Sequence, residues 1–258
     1  MKRLLDGRDV AEFIQQRHAQ QMRAFSSAPQ LAIVRQGDDA ATDRYLQVKQ
    51  RYGSAIGVEV VVYRESGETL LKRIATLNQD AATAGIIIQL PLVDTALTDQ
   101  ALAAVAPAKD VDGLGPNSPY ETATPKAVLW LLAAYNIDLK ARKIIVVGQG
   151  RVVGAPLADA LEASGCQVTR ADVSTADLAA AVLAADLVIT ATGRPGLITS
   201  DMVQPGAIVV DAGAPGSDLD EALRARMDIT LTPNPGGVGP MTVASLFDNL
   251  IIAAQRAA

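Results

Sequence analysis

The chain has 258 residues, 49% of them apolar, with 23 Lys and Arg against 28 Asp and Glu and a net charge of −5. Its single cysteine, Cys166, excludes an internal disulfide and any paired-cysteine motif, and its single histidine, His18, removes most zinc-hydrolase and triad chemistry. Proton chemistry must then come from Lys, Tyr, Asp or Glu, the mild acidity argues against a general nucleic-acid binder, and no apolar run approaches the ~18 residues of a membrane span.

In chain order, Met1-Lys2-Arg3-Leu4-Leu5 meets Asp6 at once, without the apolar stretch of a signal peptide, so a soluble cytoplasmic protein is expected. A first helix is predicted from Asp9, with Glu12 three residues on as a capping-box partner. Leu31–Val34 reads as a buried strand, Ala40–Tyr52 as a helix and Val58–Tyr63 as the next strand. The helix after it carries Leu70, Leu71, Ile74 and Leu77 on one face. Gly85–Gln89 is a third strand, stopped by Pro91. A helix over Thr98–Val105 then enters the loop Pro107–Pro119, rich in Pro, Gly and Asp.

After Pro125, the Leu- and Ala-rich helix Ala127–Tyr135 leads to a second set of strands: Lys143–Val147, Cys166–Arg170, Leu187–Thr190, Ala207–Asp211 and Ile229–Leu231. Such alternation predicts an α/β protein of two lobes with parallel sheets, the second a Rossmann-like doubly wound sheet. The expected division is residues 1–121, plus a last helix over about 242–258, against residues 122–241.

Lys143–Val147 runs directly into Gly148-Gln149-Gly150-Arg151-Val152-Val153-Gly154. The third glycine falls four residues after the second, where the usual dinucleotide fingerprint has three. Strand, glycine turn and helix still let backbone N–H groups approach a pyrophosphate at the positive end of a helix. Asp172 ends the second strand of this set 24 residues after Gly148, where a ribose-binding acid is expected. Small residues at Ala191-Thr192-Gly193 and Asp211-Ala212-Gly213 mark the edge at which open α/β sheets bind ligands.

In the first lobe, Tyr45 and Lys49 lie four apart on one helix and share a face. Gln89 and Pro91 interrupt the apolar strand end Ile86-Ile87-Ile88-Gln89-Leu90-Pro91, and Asp110 and Asp112 sit in a Gly- and Pro-bounded loop. Each alone also fits surface charge, a cap or a turn. No metal-ligating set is visible. Thr232-Pro233-Asn234-Pro235-Gly236-Gly237-Val238-Gly239-Pro240-Met241-Thr242 has more Pro and Gly than any turn requires, and reads as a rigid loop lining a ligand cleft.

Together these segments resemble the bifunctional methylenetetrahydrofolate dehydrogenase/methenyltetrahydrofolate cyclohydrolase family over nearly the whole chain. The resemblance rests on Leu5-Asp6-Gly7, Tyr45-Leu46-Gln47-Val48-Lys49, the run from Gly85 to Leu92, Lys109-Asp110-Val111-Asp112-Gly113, Thr124-Pro125, Val153-Gly154, Pro156 and the run from Pro235 to Thr242. It implies two steps at one cleft between the lobes: NADP-dependent oxidation of 5,10-methylenetetrahydrofolate to the methenyl form, then hydrolysis to 10-formyltetrahydrofolate. Lys49 matches the family's catalytic lysine, Gln89 the residue that orients it, Tyr45 a group that stacks on the folate and Asp112 an acceptor for the pterin's paired N–H donors. Ile88, Leu90, Asp110 and Pro235, Gly236, Gly237, Val238, Gly239 and Pro240 complete the implied substrate site. Gly148, Gln149, Gly150, Arg151, Asp172, Ala214 and Thr242 make the implied cofactor site, and a homodimer formed through the cofactor lobe is implied too.

The departures from the family pattern cluster in the cofactor lobe. Gly150 replaces a common Ser, and Asp172-Val173 stands where His-Ser or His-Arg is usual. An acid there would repel the 2′-phosphate of NADP, Arg151 and Arg170 are the candidate compensating charges, and NAD is the competing cofactor. The family's Gly-Asp-Val after the fourth strand is missing, and Ala214–Asp228 looks shortened. Rival readings of the same residues are a catalytically silent folate- or nucleotide-binding paralogue and an NAD-dependent monofunctional dehydrogenase. A generic dehydrogenase of a small amino or hydroxy acid would leave the first lobe's motifs unexplained.

Overall fold

A computed structural model describes residues 3–37 and 40–257. Its strands are β1 (Arg3–Leu4), β2 (Gln30–Arg35), β3 (Glu59–Arg64), β4 (Thr83–Ile88), β5 (Lys143–Val147), β6 (Gln167–Ala171), β7 (Leu187–Thr190), β8 (Ile208–Asp211) and β9 (Thr230–Leu231). The α-helices are α1 (Gly7–Met22), α2 (Ala40–Ile56), α3 (Gly67–Gln79), α4 (Thr98–Ala104), α5 (Ala123–Ala134), α6 (Gly154–Ala163), α7 (Leu178–Leu183), α8 (Glu221–Ala225) and α9 (Val238–Ala257). All pairings between these strands are parallel, as the alternating pattern requires. Among the described residues, no helix is long and apolar enough to cross a membrane.

The chain divides into two compact units, Glu12–Ala123 with Val243–Ala258, and Met1–Ala11 with Thr124–Thr242. The first holds a three-stranded sheet in the order β3-β2-β4. Central β2 is buried along nearly its whole length, and Ala32 and Val34 pack with Leu70, Ile74 and Leu77 of α3 and Leu102 of α4. The last helix belongs to this core: Phe247 stacks on Tyr52 with ring centroids 4.8 Å apart, and the Asn249 amide donates to the Val111 and Glu121 carbonyls at 2.9 Å each.

The second unit holds a six-stranded sheet in the order β1-β9-β8-β7-β5-β6. Ile145, Val188 and Val209 of adjacent strands form its buried centre with Val182 and Leu223. Of the stretch expected with residues 12–121, the described residues 3–11 lie here instead. Arg3 and Leu4 pair with Thr230 and Leu231, the fully buried Leu5 donates its N–H to the Leu231 carbonyl at 2.9 Å, and a two-residue strand leaves too short a pattern to read.

Two helix starts also differ from expectation. The first helix begins at Gly7, where the carboxylate of Asp6 accepts from the Arg8 N–H at 2.9 Å, so Asp6 takes the capping role assigned to Asp9. The last helix begins at Val238, not near Thr242. Val238, Gly239 and Pro240 are therefore its first turn, where proline costs no intrahelical bond.

Candidate functional site

In the unit built on β2, α2 carries Tyr45 and Lys49 one turn apart, and β4 ends at Ile88 so that Gln89 emerges at the carboxyl edge. The Gln89 N–H extends the ladder to the Val34 carbonyl at 2.8 Å, which fixes its backbone. Its side chain accepts from Lys49 Nζ at 3.0 Å and donates through Nε2 to the Leu90 carbonyl at 3.1 Å. Leu90–Pro91 is a cis peptide. Tyr45 is 46% exposed.

Burial pushes the Lys49 ammonium below the ordinary lysine range, and the negative charge of Asp112 partly restores it. Asp112 moves the other way: burial raises its carboxyl, Lys49 lowers it, and Asp110 raises it again. The structure thus brings Lys49, Gln89 and Asp112 together. Asp110 is different. It is buried, and its carboxylate accepts from the Gly115 N–H at 2.7 Å, holding the loop in shape. That is its turn role in one reading of the sequence. The Ile88 side chain is buried in the core, which leaves its backbone as the available part, and Leu90 packs partly against the same core.

In the other unit, Gly148, Gln149, Gly150 and Arg151 follow the carboxyl end of β5 and Ala214 that of β8, whereas Asp172 follows β6 and Thr242 lies in α9. Gly148 has φ +93°, and a Cβ there would meet the Ala191 carbonyl oxygen at 2.6 Å. A Cβ on Gly154 would lie 1.7 Å from the Gly148 carbonyl, so α6 starts directly against the turn. Around Gly150 there is open space. These features form a cradle into which a pyrophosphate fits at the start of α6. The Gln149 amide is folded back, donating to the Val146 carbonyl at 3.0 Å. Exposed Ala214 begins a cis peptide with Pro215 and abuts Gly193. Thr242, in the first turns of α9, has its hydroxyl within hydrogen-bond distance of the Val238 carbonyl at 3.3 Å and of the Thr124 hydroxyl at 3.4 Å.

Beyond β6, Asp172 accepts from the Ser174 N–H at 2.8 Å and the Ser174 hydroxyl at 2.6 Å, bonds that hold its carboxyl below the usual range. Arg170, expected as a compensating charge, is already clamped by Glu162 and Asp159 of α6 at 2.6 Å each, and those carboxylates raise its pKa further. Arg151 is exposed in the glycine turn, and Val173 is 84% exposed. The dinucleotide fits this edge, but Arg170 is not spare for a 2′-phosphate.

The Pro- and Gly-rich segment packs on the start of the chain. Gly7 donates its N–H to the Gly236 carbonyl at 2.8 Å, and a Cβ at Gly7 would meet the Gly237 carbonyl at 2.1 Å. Gly236 has φ +110° beside the Arg8 side chain, and Asn234–Pro235 is cis. This explains why Leu5-Asp6-Gly7 and Pro235-Gly236-Gly237 occur together. Asp218 was missed altogether. It is fully buried, in the segment Ala214–Asp228 that looked merely shortened, and it reads in sequence as one of several loop acids. The only hint is indirect: Thr190, Asp211 and Thr232 are polar residues at buried strand ends, and each needs a partner.

Two family models match the chain. "Tetrahydrofolate dehydrogenase/cyclohydrolase, catalytic domain" covers residues 5–112, and "Tetrahydrofolate dehydrogenase/cyclohydrolase, NAD(P)-binding domain" covers residues 122–258. Among similar proteins, the Bifunctional protein FolD of Thermus thermophilus is 38% identical over 97% of this chain and 95% of its own. That of Lacticaseibacillus paracasei is also 38% identical, over 98% of each. The crystal structure of the bifunctional enzyme FolD, a methylenetetrahydrofolate dehydrogenase/cyclohydrolase from Campylobacter jejuni, is similar over 100% of both chains, with a TM-score of 0.92 and 33% identity. The FolD of Trypanosoma brucei, complexed with NADP and an inhibitor, has a TM-score of 0.91 and 29% identity, over 98% of this chain and 97% of its own. With both family models matched in order, nearly end to end, the chain belongs to the tetrahydrofolate dehydrogenase/cyclohydrolase family.

Proposed function

We propose that this protein oxidises 5,10-methylenetetrahydrofolate to 5,10-methenyltetrahydrofolate with NADP and then hydrolyses that product to 10-formyltetrahydrofolate. The observation that carries the reading is the half-buried Lys49 amine, hydrogen-bonded to Gln89 at 3.0 Å and lowered in pKa by desolvation, with the Asp112 charge acting on it.

Bound NADP supplies the hydride acceptor. Loss of hydride from the methylene carbon leaves an amidinium-like cation, so the first reaction asks the protein for alignment and not for an acid or base. The glycine turn, the α6 N-terminus, Gln149, Ala214 and Thr242 serve that alignment on the dinucleotide. Hydrolysis does need proton movement. Neutral Lys49 takes a proton from water as the oxygen bonds to the methenyl carbon. The resulting ammonium returns it to N5 as the carbon–N5 bond breaks, and the other water proton leaves as the formyl C=O forms. A cationic substrate beside Lys49 lowers its pKa further. Tyr45 stacks on the folate, Asp112 accepts the pterin's paired N–H donors, and the backbone of Ile88 and Leu90 borders it.

A second reading, NAD as the working cofactor, is favoured by Asp172 and by the clamped Arg170. We also propose a homodimer, for which β6 supplies an edge strand with Gln167, Thr169 and Arg170 exposed; light scattering on the purified protein tests it. The central test is spectrophotometric: methylenetetrahydrofolate oxidation with NADP and with NAD, and methenyltetrahydrofolate hydrolysis with neither. Lys49→Met should abolish hydrolysis while the variant stays folded. Normal hydrolysis in Lys49→Met, or no turnover of either folate by the wild type, defeats the proposal.

A further inference from the structure

We infer that Asp218 is the positioning residue of the dinucleotide edge, holding the loop after β7 in its binding shape; this rests on the reading of that edge as the cofactor site. β7 and β8 run in register, with Thr190 opposite Asp211, and both strands end on polar groups turned inward. Asp218 is 0% exposed, and one carboxylate oxygen accepts from the Thr190 hydroxyl at 2.5 Å and from the Thr192 N–H at 2.7 Å. A single buried carboxylate therefore fixes both the end of the strand and the second residue of the loop that follows.

That loop lies between the two parts of the cradle. On one side, a Cβ on Gly148 would approach the Ala191 carbonyl at 2.6 Å and the Thr192 methyl at 3.0 Å. On the other, Gly193, with φ +65°, sits so close to the Ala214 carbonyl that a Cβ would reach it at 2.8 Å. A shift of the Ala191–Gly193 backbone by a fraction of that spacing changes the space at the glycine turn and at Ala214 together.

Asp218 is itself held firmly. Its N–H donates to Asp211 at 3.3 Å, Asp211 is ion-paired to Arg224, and the Asp218 carbonyl accepts from the Ile198 N–H at 2.9 Å. Its second carboxylate oxygen has no hydrogen-bond partner among the described residues and packs against Gly213, where a Cβ would lie 2.4 Å away. A buried carboxylate oxygen left without a donor is costly, and it is retained where the other oxygen has a duty.

The bifunctional chemistry provides an internal control, since hydrolysis of methenyltetrahydrofolate needs no nicotinamide. Asp218→Ala frees the Thr192 N–H and should raise the KM for the dinucleotide about tenfold, the usual size of a coupling of this kind. Hydrolytic kcat/KM measured without nicotinamide should stay within about twofold. Asp218→Asn keeps an oxygen that accepts both bonds and should restore the dinucleotide KM to within about threefold of wild type. A parallel fall of both activities in Asp218→Ala marks a purely structural role and overturns the inference, as does an unchanged dinucleotide KM. If Asp218→Ala does not fold, Thr190→Val decides: a rise in dinucleotide KM with hydrolysis intact supports the inference, and no rise overturns it. Failure of the wild type to bind NADPH or NADH in a fluorescence titration defeats the cofactor-site reading itself, and the inference with it.

Discussion

Lys49 is where residue chemistry decides function. Because burial lowers its pKa, the folded protein sheds this proton before the unfolded chain does. Between the folded value and the ordinary ~10.4 the unfolded chain binds more protons, so stability rises with pH across that window, and the cost of burying the ammonium is felt below it. Replacing Gln89 by Glu puts a negative charge against the amine, which favours the ammonium. The pH–rate profile of hydrolysis should move to higher pH, and activity at neutral pH should fall about tenfold for each pH step by which the profile is displaced. An unmoved profile would separate Lys49 from the rate. Asp172 sets the second residue-scale expectation. Removing its charge in Asp172→Ser should raise the kcat/KM ratio of NADP over NAD about tenfold, because a carboxylate near a 2′-phosphate is repulsive. A constant ratio would show that Asp172 does not meet the ribose.

At the scale of elements, α1, α2 and α9 are joined by a buried polar contact that sequence periodicity does not reveal. The His18 ring contacts the Tyr52 hydroxyl at 3.0 Å and Asp248 at 3.2 Å, while Tyr52 stacks on Phe247. Tyr52→Phe keeps the stacking and removes only the hydroxyl. It should cost ~1–2 kcal/mol in urea unfolding, since His18 keeps a buried nitrogen without its partner. Elements dominated by apolar patterning were legible: β2, β4, β5 and β7 follow runs of Ile, Leu and Val, and their ends shift by at most two residues. The starts of α1 and α9 were not. A cap is set by one side-chain contact, here Asp6 on Arg8, and a proline in a first turn resembles a proline in a loop.

For the whole molecule, the two-unit α/β plan was readable because strand–helix alternation repeats along the chain, whereas the side on which short terminal segments lie depends on pairings far apart in sequence. Arg3 and Leu4 pair with residues more than two hundred positions away. Likewise Lys49, Gln89 and Asp112 were picked out by motif, but their mutual charge effects come from burial, and Asp218 escaped because buried and solvated loop acids look alike in a linear chain. The C-terminal helix carries a large share of one unit's core. Ending the chain at Thr242 removes Phe247 and Leu250, both fully buried, at roughly 2–3 kcal/mol each, as well as the Asn249 bonds. Against a total stability of ~5–15 kcal/mol, the truncated protein should lose its cooperative melting transition in calorimetry. A preserved transition would show that residues 12–123 are self-sufficient.

The carboxamide of Gln89 has a polarity, and the neighbouring Leu90 carbonyl sets it by taking an N–H. Only an oxygen is then left to face Lys49, and an oxygen can receive but never give. Whether that amine is charged or neutral, one of its hydrogens is therefore committed to this neighbour. Once deprotonated, its unshared electron pair must point some other way, and so one carbonyl oxygen in the main chain decides the direction from which a water molecule can be deprotonated.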